Sequence, residues 1–92
     1  MIKSFKHKGL KNFFLKNDSS GIEQKLVNRI KTRLTVIDAA DCIDAIDMPG
    51  YDLHPLKGDR KDSWSISVSG NWRITFKFAN GDAEILNLED YH

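Results

Sequence analysis

The chain has 92 residues and a formal net charge of +1, with 40% hydrophobic and 29% charged residues. This suits one domain with one modest core, and it excludes a disordered chain, a fibrous repeat and a membrane-spanning segment. Cys42 is the only cysteine, so no internal disulfide can form and a reducing cytoplasm is the expected compartment. With an apolar neighbour, Cys42 is expected to fill space in the interior.

The N-terminal "MIKSF" is a short strand candidate. "HKGLKNFFLKN" places Leu10, Phe13 and Phe14 on one helical face, and "NDSSG" ends that helix. The basic start lacks an apolar run, so no signal peptide is expected. Its Lys3, Lys6, Lys8, Lys11 and Lys16 have no acid among them. They read either as a solvated helix face or as a docking surface for a polyanion such as RNA. Ser20 and Glu23 are spaced as a capping box. Behind them Ile22, Leu26, Ile30, Leu34 and Ile37 recur at helical spacing, which predicts a long amphipathic helix with a core-facing stripe. Arg29, Lys31 and Arg33 on that helix are further docking candidates. "DCIDAID" is expected to add a helical turn or two before "MPG" breaks the chain. The acids of "DAADCIDAID", Asp38 to Asp47, suit a surface turned away from RNA.

From "SWSISVS" onward the period becomes two. Trp64, Ile66 and Val68 share one face, with Ser63, Ser65 and Ser67 on the other. In "WRITFKF", Trp72, Ile74, Phe76 and Phe78 alternate with Arg73, Thr75 and Lys77. "GN" and "NG" are turn signals, and "DAEILNLEDY" supplies a third strand. The implied architecture is α+β, with two N-terminal helices packed on one face of a small, mostly antiparallel β-sheet. The other face should be polar and open, with small serines beside Arg73 and Lys77 leaving room for an anion.

"LHPLKGDR" adds His54 and Lys57 on an extended piece that Pro55 keeps at an edge; Gly58 and Asp59 turn the chain, and Arg60 follows. The C-terminal segment adds Asp90, Tyr91 and His92. His54 and His92 lack a third metal ligand at tight spacing, so neither a metal site nor any other cofactor is expected. No serine or cysteine has a nucleophile's setting, and no glycine-rich phosphate loop is present. Metal-free RNA cleavage fits this set of residues. A base takes the proton of the 2′-hydroxyl, an acid protonates the leaving 5′-oxygen, and cations hold the phosphate. Histidine can serve as base or acid near neutral pH. Arg73 can grip phosphate with two donors, Lys57 adds a point charge, and Tyr91 can stack on a base.

"LHPLKGDR", "WSISVSGNWRITFKFANGDAEIL" and the closing "DYH" resemble the HigB toxins of bacterial toxin–antitoxin pairs, within the RelE-like superfamily. The resemblance is dense from Leu53 to His92 and loose through the helices. It implies the RelE-like form of the fold above, and a ribosome-dependent endoribonuclease that cuts mRNA in the A site of the 70S ribosome, beside 16S rRNA. The family's catalytic positions fall on His54, Lys57, Arg73, Asp90, Tyr91 and His92. His92 would be the base and His54 the acid, although the sequence leaves that pair interchangeable. Lys57 and Arg73 would hold the phosphate, and Asp90 and Tyr91 would position the RNA or the imidazole. Strand pairing up to Leu88 would anchor the terminal residues. The resemblance also implies a HigA-type antitoxin with a helix-turn-helix, and operator DNA reached only through that partner. Two other readings compete. One is a gyrase-binding toxin of the same fold, ParE-like, which needs no acid–base set. The other is an inactive RNA- or protein-binding module.

Overall fold

Alternation in the second half produces one antiparallel sheet. Its strands are β1 (His54–Pro55), β2 (Ser63–Ser69), β3 (Trp72–Ala79) and β4 (Asp82–Asp90), hydrogen-bonded in that order. The structure is a computed structural model and describes residues 1–58 and 62–91. Both residues of the Asn80-Gly81 turn have positive φ, 55° and 79°, the conformation whose twist matches that of the flanking strands. Pro55 sits in the two-residue edge strand β1, where its missing N–H is tolerated.

One sheet face buries Ile66, Val68, Ile74, Phe76, Ala83 and Leu86. Two helices cover it, α1 (Lys8–Lys16) and α2 (Val27–Ala39). They contribute Leu10, Phe13, Ile30, Leu34 and Ile37 to the same cluster, and Trp64, Trp72 and Phe78 pack against its margin half-buried. Each such aliphatic side chain taken out of water contributes roughly 1.5–3 kcal/mol. This layer is the scaffold that presents the opposite, polar face.

Local chemistry departs from the sequence expectation at several points. "MIKSF" forms no regular strand. It runs parallel to β4 through single bridges, Ile2 with Ala83 and Phe5 with Leu86. The pairing is interrupted because β4 carries a bulge where the register shifts between Thr75 and Lys77. Ile85 at the bulge has φ 58°, and its N–H donates to Ser4 Oγ at 2.9 Å. A β-branched residue in this region is strained by about 1–3 kcal/mol.

The Ser20–Glu23 capping box does not form. The Ser20 N–H bonds Asp18 Oδ1, Glu23 makes no side-chain cap, and a 3₁₀ turn (Gln24–Leu26) precedes α2. The cap with a side-chain bond is on α1, where His7 Nδ1 accepts from the Leu10 N–H at 3.1 Å. "DCIDAID" gives only a 3₁₀ turn, Ile43–Ile46, and Cys42 at its start is exposed instead of filling the core.

Arg29 and Arg33 reach back to the edge of the sheet, although Arg29 stays exposed and Arg33 is half-buried. Arg29 Nη1 donates to the Val68 carbonyl at 3.2 Å and Arg33 Nε to the Ser67 carbonyl at 2.7 Å. The Arg33 guanidinium also lies 4.3 Å from the centroid of the buried Tyr51 ring. The two guanidiniums cap the stretch of β2 that β1 is too short to cover, one of the ways an exposed sheet edge is blunted. Both thus have a structural role beside the docking role expected of them on α2. Lys31 remains exposed.

Candidate active site

The polar face is not open as expected. Ser65 and Thr75 are almost fully buried; His54 and the Arg73 side chain lie against Ser65, and Thr75 donates to Glu89. The register places His54 opposite Ser65 on β1–β2, and Ser65 opposite Thr75 and Ser67 opposite Arg73 on β2–β3. This alternation brings His54 and Arg73 together although they are far apart in sequence.

Four residues form one connected cluster. Arg73 Nε donates to Ser65 Oγ at 2.9 Å, and Arg73 Nη2 donates to the Asp52 carbonyl at 2.8 Å. Arg73 Nη1 lies 3.4 Å from Asp52 Oδ2. His54 Nδ1 is 3.2 Å from Arg73 Nη2 and 3.1 Å from the Asp52 carbonyl, while its Nε2 is 3.3 Å from Ser65 Oγ. Asp52 takes a positive φ of 50°, which aspartate tolerates better than most residues and which turns its carbonyl toward the site. The Arg73 side chain keeps only 12% of its exposure, against 72% for Asp52. The surface carboxylate is therefore a weak partner, and the serine and the carbonyl do most to fix the guanidinium.

This network offers two chemical functions. The planar guanidinium is held by its edges, a preorganised cation for a phosphate. At His54 the Ser65 hydroxyl faces Nε2, while Nδ1 faces both the Asp52 carbonyl, which can only accept, and the Arg73 guanidinium, which can only donate. An imidazole held this way is placed to exchange a proton with a reacting oxygen.

The remaining expected residues fall as follows. Lys57 is exposed just beyond β1. Asp90 ends β4 opposite Trp72, and the Tyr91 N–H donates to the Asn71 carbonyl at 2.8 Å. Backbone pairing thus continues to the threshold of His92, which lies outside the described residues, as do Asp59 and Arg60 of the expected turn. Alternation places Glu89, not Asp90, opposite Arg73, and Glu89 accepts a short hydrogen bond from Thr75 Oγ1. Lys77 is exposed on β3, and Lys6 is exposed where the N-terminal segment crosses β4. Lys8, Lys11 and Lys16 are exposed on α1, on the helical side of the sheet, and Lys3 is exposed beside Ala83. Among the described residues, no group of three or more His, Cys, Asp or Glu side chains could hold a metal ion.

A family model described as the RelE-like toxin of type II toxin–antitoxin system HigB matches residues 3–92. The chain belongs to the HigB-like toxin family. It is 60% identical to the Endoribonuclease HigB of Proteus vulgaris over 92 residues, covering 100% of both chains. The fold is shared with YafQ from E. coli. One YafQ structure, from strain BL21(DE3), superposes with a TM-score of 0.66 at 15% identity, and a point mutant does so at 0.65 and 18%. Each comparison covers 98% of this chain and 91% of YafQ.

Within this HigB-like chain, sequence reasoning missed Asp52, Ser65 and Glu89. Asp52 acts largely through its backbone carbonyl, which no side-chain pattern reveals. Ser65 is one of several alternating serines, and only the register singles it out. Glu89 carried the one available signal, since it is an acid directly before the expected Asp90, Tyr91 and His92.

Proposed function

We propose that this HigB-like chain is the toxin of a type II pair and acts as an endoribonuclease on mRNA in the ribosomal A site, so inhibiting translation. The observation that carries the reading is the buried Arg73 guanidinium, fixed by Ser65 and the Asp52 carbonyl with the His54 ring 3.2 Å away. A surface that merely binds a partner gains nothing from an exposed imidazole that shares one serine hydroxyl with a largely buried guanidinium. The name borne by the Proteus vulgaris relative supports the same reading.

In this chemistry the 2′-hydroxyl of the RNA attacks the adjacent phosphorus, and its proton passes to the His92 imidazole. Charge accumulates on the non-bridging oxygens, which Arg73 and Lys57 would hold. The P–O5′ bond breaks, and the leaving oxygen takes a proton from His54, whose Nε2 exchanges Ser65 for the RNA. Asp90 and Tyr91 position the terminal imidazole and the base. No metal takes part, and the products are a 2′,3′-cyclic phosphate and a 5′-hydroxyl. An antitoxin of the helix-turn-helix type is the expected partner and the route to operator DNA, and the cytoplasm is the site of action.

The test is the chemistry of the RNA ends. Wild-type protein should leave 2′,3′-cyclic phosphates, and His54→Ala and His92→Ala should each slow cleavage by about 10²–10⁴-fold, the usual contribution of one proton-transfer group. Products with 5′-phosphates, or rates unchanged in both variants, would sink this mechanism.

A further inference from the structure

Arg33 belongs to α2, on the apolar side of the sheet, yet its contacts lead to the reacting groups. Its Nε donates to the Ser67 carbonyl at 2.7 Å, and its guanidinium lies 4.3 Å from the centroid of the buried Tyr51 ring. The Ser67 N–H in turn donates to the Tyr51 carbonyl at 2.6 Å. Both backbone groups of Ser67 are thus engaged, one by Tyr51 and one by the residue that packs on the Tyr51 ring. Among the described residues no carboxylate pairs with Arg33.

This anchor decides the course of the chain that follows. Beyond it, His54 pairs with Ser65. Between the two anchors the chain has two residues, Asp52 and Leu53, where β2 has one, Ile66. A surplus residue of this kind bends the strand locally, as in a β-bulge. Here it is taken up at Asp52, whose φ is 50°. A side-chain-bearing residue keeps such a conformation only where its surroundings over-determine it. The Tyr51–Ser67 bond on one side and the His54–Ser65 pair on the other do so. The result is a carbonyl aimed into the site, 2.8 Å from Arg73 Nη2 and 3.1 Å from His54 Nδ1.

We propose that Arg33 is a positioning residue for the reaction: by gripping Ser67 and the Tyr51 ring together, it keeps the Asp52 carbonyl on Arg73 and His54. The inference rests on the RNA-cleavage reading above. A guanidinium suits the task, because it can lie over an aromatic ring while its edge donates to a carbonyl. A misplacement of about 1 Å, caused by a change far from the chemistry, can cost about 10²-fold in rate. Loss of the tether is therefore read in the chemical step, not in docking.

The experiment is single-turnover cleavage of a defined mRNA on ribosomes over a range of protein concentrations, which separates the saturated rate from the half-saturating concentration. Arg33→Met keeps the stem and removes the guanidinium. It should lower the saturated rate by about tenfold or more and leave the half-saturating concentration at the wild-type value. Tyr51→Leu should lower the saturated rate too, and Arg33→Lys, which keeps a cation for the ring, should recover part of the loss. Val36 packs against the core from the same helix and has no part in the linkage, so Val36→Ala is the control for lost stability and should cleave at the wild-type saturated rate. In an Arg73→Ala background, Arg33→Met should cost much less than in the wild type, because the guanidinium that the carbonyl fixes is gone. Should Arg33→Met fail to fold, the same double-mutant comparison is made with Arg33→Lys. A raised half-saturating concentration at an unchanged saturated rate would make Arg33 a docking residue and overturn the proposal. Equal costs in the two backgrounds, or an equal loss in Val36→Ala, would reduce Arg33 to a stabilising role and overturn it as well. A wild type that cuts no RNA overturns the cleavage reading itself, and the positioning role with it.

Discussion

Arg73 shows how much a single side chain depends on what fixes it. Its long stem loses about 2 kcal/mol of rotamer freedom when held, and Ser65 and the Asp52 carbonyl together offset this through hydrogen bonds to a charged donor, worth about 1.5–3 kcal/mol each. Ser65→Ala would leave Arg73 Nε facing an apolar methyl and free one nitrogen of His54. We expect it to keep the fold and to lower the single-turnover cleavage rate by about tenfold or more. Ser65→Thr, which keeps the hydroxyl, should recover part of the loss. Equal rates for Ser65→Ala and wild type would remove Ser65 from any positioning role. Arg73 and His54 were legible in the sequence, because alternation put Arg73 on the polar face and Pro55 marked His54 as an edge residue. Their bond was not legible. It depends on the register of β1 against β2 and on a positive φ at Asp52, and neither has a periodic signature.

Among the elements, α1 carries a titratable cap. Burial holds His7 below its ordinary pKa of 6.5, as expected for a ring nitrogen that must stay unprotonated to accept from the Leu10 N–H. The unfolded chain then binds the proton more readily than the folded one. The contribution is fully present above pH 6.5 and is lost as pH falls through the lowered folded value. His7→Asn keeps a capping acceptor without titrating. Its thermal stability should therefore vary less with pH than the wild type below 6.5, and parallel pH curves would contradict the assignment. The strands and their hairpins could be read from alternation and from "GN" and "NG", since a period of two on a half-buried sheet leaves few alternatives. The start of α2 could not. The Ser20–Glu23 spacing favoured a cap, but the loop folds instead around the Asp18–Ser20 bond and the close approach of Gly9 to Gly21. Ile85 was equally hidden, because a β-branched residue at φ 58° runs against local propensity and is imposed by the bulge.

For the whole molecule, the sheet separates two surfaces. The His54–Arg73 cluster lies on its polar face, whereas Lys8, Lys11 and Lys16 are exposed on α1 on the helical side. With a net charge of only +1, the attraction to ribosomal RNA that the proposed function requires must come from local clusters such as these. Replacing the three α1 lysines with alanine should weaken ribosome binding and lower its salt slope by up to about three, one for each phosphate left unneutralised, with the fold retained. An unchanged slope would move docking to the polar face alone. The central claim, that the fixed guanidinium–imidazole pair cleaves mRNA on the ribosome, is tested most directly by one assay. Purified wild type and Arg73→Ala would be given a defined mRNA with and without ribosomes, and the rate of the first cut measured. The account predicts wild-type cleavage only on the ribosome and a loss of about 10²-fold or more in the variant, the scale of removing a preorganised donor from a developing anion. Cleavage by Arg73→Ala at the wild-type rate, or none by the wild type in either condition, would contradict it.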